Sequence, residues 1–384
     1  MKLEASARDA GLSDSEIRRL DTYLDGLKSD DLDRELKLAN AALESPSPDR
    51  AARTYLDMID RRGSGRVTAD IVESLVMGVG NARTSVTEGR EGILGKDAAS
   101  RAAMTLTVMP KAGYDQISNA FHNAQSQTER ALILKSVAAR QKAFESGAAD
   151  TATQEIVNFA DQILGGDSAT LIKQTTFLDL DGDEIDEGLK QRWNNTCVPT
   201  TAQIMRAESD PIWAMKYYNE IDSTSNADDL GIQEAAILED AGSTPVERDP
   251  KNLGGAGMRA AAALDNLVSP ATHATYWTEL YGDSTSELDR AMNDMETNLK
   301  EGIDVPIGVG WPYGGGHLML ATDVRGTDDG REFLISDPWT GHTGWIKAKD
   351  IESGSTNFFA DTGRLRELNL PSTSSLSAST SRNP

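Results

Sequence analysis

The sequence predicts an α+β chain: a helical N-terminal domain, then a domain in which helices pack on a small antiparallel sheet. Three observations predict it. Up to about residue 165 the apolar residues recur at helical spacing, and strand-like alternation is nearly absent. After Gly165 and Gly166 the composition changes, and β-rich runs occur at 305–309, 318–324, 333–336 and around 344–347. Those runs are separated by turn chemistry, namely Gly314 to Gly316, Asp328-Asp329-Gly330 and Asp337-Pro338, as expected when helices come first and an antiparallel sheet second.

In the helical half, Ser13 and Ser15 precede a segment with Ile17, Leu20, Leu24 and Leu27 on one face. Residues 128–144 form a second helix that Thr128 can cap and that ends before Gly147. Residues 152–164 carry Ile156, Phe159, Ile163 and Leu164 on one face. In the second half, Ser284 and Glu287 make a capping box ahead of the stripe Leu288, Met292, Met295 and Leu299, and Gly302 ends that helix. From Pro371 onward the chain is Ser/Thr-rich and too polar to bury a core. The expected organisation is therefore a helical accessory, pro- or targeting domain over 1–167, a second domain over 168–365 and a disordered tail over 366–384.

Composition narrows the function classes. With a formal net charge of −23, the surface repels phosphate backbones and anionic lipid heads, so no nucleic-acid partner is expected. No run approaches the roughly 18 apolar residues of a membrane span, and the first residues have no apolar core of the kind a Sec signal needs. The expectation is a soluble protein, cytoplasmic or exported by a route other than Sec. The single cysteine, Cys197, excludes an internal disulfide and a cysteine-based zinc site, so its surroundings decide whether it is inert or reactive.

Those surroundings carry chemistry. In residues 191–205 (QRWNNTCVPTTAQIM) a helix is predicted to start at or just after Cys197, with Pro199 in the first turn, where a missing N–H costs nothing. A thiol at a helix N-terminus is met by the positive end of the dipole, which favours thiolate. Gln191, six positions earlier, can direct an amide donor at an oxyanion formed by attack of the sulfur on a carbonyl. Residues 314–321 (GGGHLMLA) place His317 at the opening of an apolar strand, after glycines that let a substrate backbone approach. A neutral imidazole there can take the thiol proton. Asp337 ends the next strand, where it can hold the ring of His317 and stabilise the imidazolium.

The order Gln191, Cys197, His317, Asp337 resembles that of papain-like cysteine peptidases, and the local strings look most like the bacteriocin-processing, double-glycine branch. The resemblance covers residues 170–360 and implies a papain-like domain in which Gln191 is the oxyanion donor, Cys197 the nucleophile, His317 the base and Asp337 the orienter. It implies a thiol protease on a protein or peptide substrate that requires no cofactor. Val198 stands where the family usually has Gly, and a larger side chain beside the nucleophile is expected to narrow the cleft. The same residues would equally serve a transglutaminase, an acyltransferase or a glutamine deamidase, and a catalytically dead papain-like binding protein is the rival from another class. An added helical domain, a tail and the missing Sec signal would also suit an effector or toxin.

Other residues carry weaker signals. Trp193, Asn195, Gly316 and Trp339 are expected to line a substrate cleft, with Trp311 as a further wall and Asn194 as a further donor. Asp179, Asp181 and Asp183 alternate as in a calcium loop. Glu184 and Lys190, however, stand where the EF-hand pattern needs Gly and Glu, so calcium competes with a solvated turn. His122, His273 and His342 lack partners at metal spacing, and Glu234, Glu239 and Asp240 are assigned to helix surface.

Overall fold

A computed structural model of the chain describes residues 3–27, 94–178, 188–192, 196–223, 260–311, 314–326, 330–353, 356–358 and 361–372, with scattered positions in 32–59 and 233–241. Two compact units result, one within 1–168 and one beginning at Ala169.

The described part of the first unit consists of helices: α1 (Glu4–Asp9), α2 (Asp14–Asp25), α3 (Lys96–Val108), α4 (Lys111–Asn123), α5 (Gln127–Ala139), α6 (Gln141–Glu145) and α7 (Ala149–Ile163). Ser13 caps α2 in a reciprocal box with Glu16, and Ile17, Leu20 and Leu24 are buried. The cap of α5 is Ser126 rather than Thr128, which lies inside the helix and is buried. Glu129, itself buried, accepts from the N–H groups of Ser126 (3.3 Å) and Gly165 (2.8 Å), so one carboxylate joins the start of α5 to the end of α7. Such a carboxylate satisfies the free N–H groups of a helix start that water cannot reach. Helix α5 is buried on nearly every side.

The second unit runs α8 (Ser168–Thr176), α9 (Cys197–Ser209), α10 (Pro211–Ser223), α11 (Ala260–Leu267), α12 (Ser269–Thr272), β1 (Thr275–Leu280), α13 (Thr285–Lys300), β2 (Val305–Gly310), β3 (Gly316–Arg325), β4 (Glu332–Ser336), β5 (Thr343–Lys347), α14 (Ala348–Ser353), β6 (Thr356–Phe358) and β7 (Asp361–Ser372). The strands pair antiparallel in the order β1-β7-β2-β3-β4-β5, and β6 pairs with β7. The fold is α+β, with the Cys197 helix packed on the sheet as expected.

Strand alternation divides the core. Met319 and Ala321 of β3 join Met292, Met295 and Leu299 of α13, together with Ile307, Phe333 and Ile335. Leu320 joins Ile204 and Met205 of α9 with Leu264 of α11, while Leu318 packs against Cys197 and Val198. The sheet is thus covered on both faces, and α9 lies against the strand that carries His317.

Two elements depart from expectation. Residues 366–372, assigned to the tail, form the second half of β7 and lie between β1 and β2. Leu365 opposes Val309, Glu367 opposes Gly308 and Leu368 opposes Ile307, so Arg366 is the extra residue of a bulge. The bulge sets Leu365 and Leu368 three apart, which hides the alternation. Gly308 is required there, since a side chain would strike Glu367. The edge strand β1 carries no apolar alternation, because only Tyr276 of its six residues is buried.

Candidate active site

Helix α9 begins at Cys197, with Pro199 in its first turn, and buries Cys197, Val198, Thr200, Thr201 and Ala202. The Cys197 side chain is held by Ala260 and Ala263 of α11, by Ala241 and by Leu318. Val198 shares that cluster and, like Cys197 itself, is buried, at 6% against 4% exposed. Thr201, one helical turn after Cys197, donates its hydroxyl to the Leu318 carbonyl at 3.1 Å. That bond ties the helix to the residue following His317.

His317 is the second residue of β3 and is buried. Its Nε2–H donates to Asp337 Oδ1 at 2.6 Å, and the ring is also hydrogen-bonded to the Cys197 side chain, for which Nδ1 remains. Two indoles hold the imidazole: Trp311 lies parallel to it (6.4 Å, 11°) and Trp339 meets it edge-on (6.2 Å, 89°). Burial alone would push the imidazole toward its neutral form. The hydrogen bond to Asp337 and the adjacent Cys197 sulfur outweigh burial and raise it to about 9. The ring is thus set up to be an imidazolium beside the sulfur.

Asp337 is fully buried in the turn after β4. Its Oδ1 also accepts the backbone N–H of Trp339 at 2.8 Å. The Asp337 N–H donates to the His342 carbonyl, and the Asp337 carbonyl accepts from Gly341 N–H, closing the turn. Gly341 has φ +80°, and a side chain there would strike the Gly188 carbonyl and Lys190. That close approach lets residues 188–191 run along the turn: Gly188 N–H donates to the Gly341 carbonyl at 3.1 Å and Gln191 N–H to the Pro338 carbonyl at 2.6 Å. Gln191 is therefore attached by its backbone to the residue after Asp337.

The structure thus brings Cys197, His317 and Asp337 into one buried, triad-like cluster. Gly316 is exposed immediately before His317, and Trp339 is 46% exposed beside the imidazole. Trp193, Asn194, Asn195, Asp179, Asp181 and Asp183 lie outside the described residues, and among the described residues no group of three His, Cys, Asp or Glu could hold a metal ion. His122 bonds the Ser118 carbonyl through Nδ1 at 2.6 Å, far in sequence from the cluster.

Glu234 overturns its assignment to helix surface. It is 2% exposed and accepts from the backbone N–H of Arg192 and the side chains of Thr196 and Thr200, which flank Cys197. Nothing local announces this, because its partners lie more than thirty residues away in sequence. Thr201 was legible in principle, standing four residues after Cys197 on the same helix face.

No family model matches the chain, and no curated protein matches it. Among the described residues no helix is long and apolar enough to cross a membrane.

Proposed function

We propose that this chain is a cysteine-dependent amide hydrolase of the papain-like kind, acting as a protease on a protein or peptide. The observation that carries the reading is the continuous contact from the Cys197 thiol through the His317 ring to buried Asp337. A structural cysteine has no use for a ring held between two indoles and backed by a carboxylate. The Cys197 sulfur would attack the substrate carbonyl, and the C=O electron pair would move to oxygen. Gln191 and the Cys197 N–H would hold that oxyanion. His317 would give its proton to the leaving amine, forming a thioester. Water, deprotonated by His317, would then release the acid and free the thiol. Asp337 would keep the Nε2 proton in place throughout.

The test separates reactivity from substrate. Alkylation of Cys197 by iodoacetamide should follow different pH profiles in wild type and in His317→Ala, with the wild type favoured in the acid range. Incubation with a peptide library should then give wild-type cleavage that Cys197→Ala lacks. Identical alkylation profiles would remove the catalytic coupling. Release of ammonia without chain cleavage would assign the same steps to a deamidase.

A further inference from the structure

Gln191 and Cys197 are joined through Arg192 and Thr196, and one buried carboxyl holds both of those joints. Arg192 N–H donates to the two oxygens of Glu234 at 3.2 and 3.3 Å. The Thr200 hydroxyl reaches Glu234 Oε1 at 3.1 Å, and the Thr196 side chain bonds the same carboxyl. One turn beyond Glu234, Ile237 and then Ala241 pack against Cys197 and Val198. The charged and titratable groups facing it are Arg192 on the joining segment and Tyr217 on α10, whose hydroxyl accepts from Gln203 of α9 at 2.5 Å.

We propose that Glu234 is a positioning residue of the active centre: it grips Arg192 and the first turn of α9 together and so sets the aim of Gln191 at a carbonyl attacked by Cys197. The inference rests on the hydrolase reading and on Gln191 as its oxyanion donor.

Proton arithmetic gives the grip a direction. The Thr200 hydroxyl has one proton and two acceptors in reach, Glu234 at 3.1 Å and the Thr196 carbonyl at 2.8 Å. Ionised Glu234 accepts that proton; protonated Glu234 donates to Thr200, which then donates to Thr196. The α9 end is thus satisfied in either state. The Arg192 end has no such exchange, since an N–H bonds a charged acceptor more strongly than a neutral one. Burial holds Glu234 up at about 7, so the grip on Arg192 tightens as pH rises through neutrality. Stability runs the other way. A carboxyl raised above its unfolded value contributes stability below about 4.5, and that contribution is lost as pH rises through about 7. A purely structural Glu234 would move stability alone.

Two probes that need no natural substrate test this. Iodoacetamide alkylates the sulfur by displacing iodide and builds no oxyanion. p-Nitrophenyl acetate is attacked at its carbonyl, passes through an oxyanion, forms the S-acetyl enzyme and expels p-nitrophenolate. The ratio of acylation to alkylation rates cancels the thiol and imidazole titrations common to both. In wild type the ratio should rise severalfold from pH 6 to pH 8. Glu234→Gln, which keeps a neutral acceptor for Arg192, should hold it flat at the low-pH value. Glu234→Ala should lower it about tenfold at every pH, short of the 10²–10³ that loss of an oxyanion donor costs. If the Ala variant does not fold, the Gln variant decides alone. A wild-type pH rise retained in Glu234→Gln, or a wild-type ratio in Glu234→Ala, overturns the proposal. Failure of the wild type to acylate at all would overturn the hydrolase reading with it.

Discussion

The hydroxyl of Thr201 bonds the carbonyl of Leu318, and that bond adds a directional tie to the apolar packing between the helix bearing the thiol and the strand bearing the imidazole. Cys197 and Thr201 share a helix face, and Leu318 is the next residue after His317, so this bond acts beside the point where thiol and imidazole meet.

Thr201→Val should therefore cost more than its size suggests. It leaves the Leu318 carbonyl without the Thr201 donor, a loss of about 1–3 kcal/mol in unfolding free energy. It should also slow iodoacetamide labelling of Cys197 at pH 6 severalfold. Denaturant unfolding and a labelling time course measure the two effects, and a stability loss with unchanged labelling would show that the bond is not what aligns the site.

The four site residues should divide the work unequally in acylation by p-nitrophenyl acetate. Cys197→Ala should abolish the burst of nitrophenolate, and His317→Ala should reduce it nearly as far. Asp337→Asn should be mildest, since it loosens the ring without removing a reacting group. Gln191→Ala should slow acylation by roughly 10²–10³ while leaving iodoacetamide alkylation intact. Equal losses in both reactions for Gln191→Ala would take it out of the oxyanion role.

Stability should follow the ionisation of His317. Its folded value, raised from 6.5 to about 9, means that folding favours the imidazolium. The resulting stabilisation is complete below about pH 6.5 and is lost progressively as pH rises through about 9. The difference in unfolding free energy between wild type and His317→Gln should shrink across that window. A difference that grows with pH would have the wrong sign for an imidazolium paired with Asp337 and the sulfur.

Removing the chain after Leu365 should destroy cooperative unfolding of the second unit, because residues 366–372 supply every pairing between β7 and β1. Thermal melting of a chain ended at 365 against one ended at 372 makes the comparison. A sharp melt from the shorter chain would show that β1 is dispensable.

The sequence exposed what local patterns encode and concealed what distant contacts create. The capping box at Ser13, the Ser284 cap on the Glu287 N–H, the stripe from Leu288 to Leu299 and the helix start at Cys197 follow from residues within one turn of each other. His317 and Asp337 were visible because each sits where an apolar run meets a turn. Strand β7 was not, since its alternation is broken opposite Gly308 and Val309, on a strand more than fifty residues away. The burial of Glu234 depends on Arg192 and Thr200, and its charge pointed to solvent. The packing of Val198 is likewise set at a distance, by Ala241, Ala260 and Leu318.

Strand β7 follows every other strand in sequence yet lies between β1 and β2, pairing Thr275 with Ser372 across 97 residues. Closing such a loop delays the contact, because chain entropy is lost before any pairing repays it. Strands β2 to β5 are a run of sequential neighbours and can assemble early, with His317 and Asp337 already adjacent. A growing chain would then carry its reactive neighbourhood on a partial sheet whose β2 edge is still unpaired. That edge accepts any extended strand that reaches it, so speed of β7 insertion, more than the strength of the finished core, should govern how much of the protein escapes aggregation during refolding.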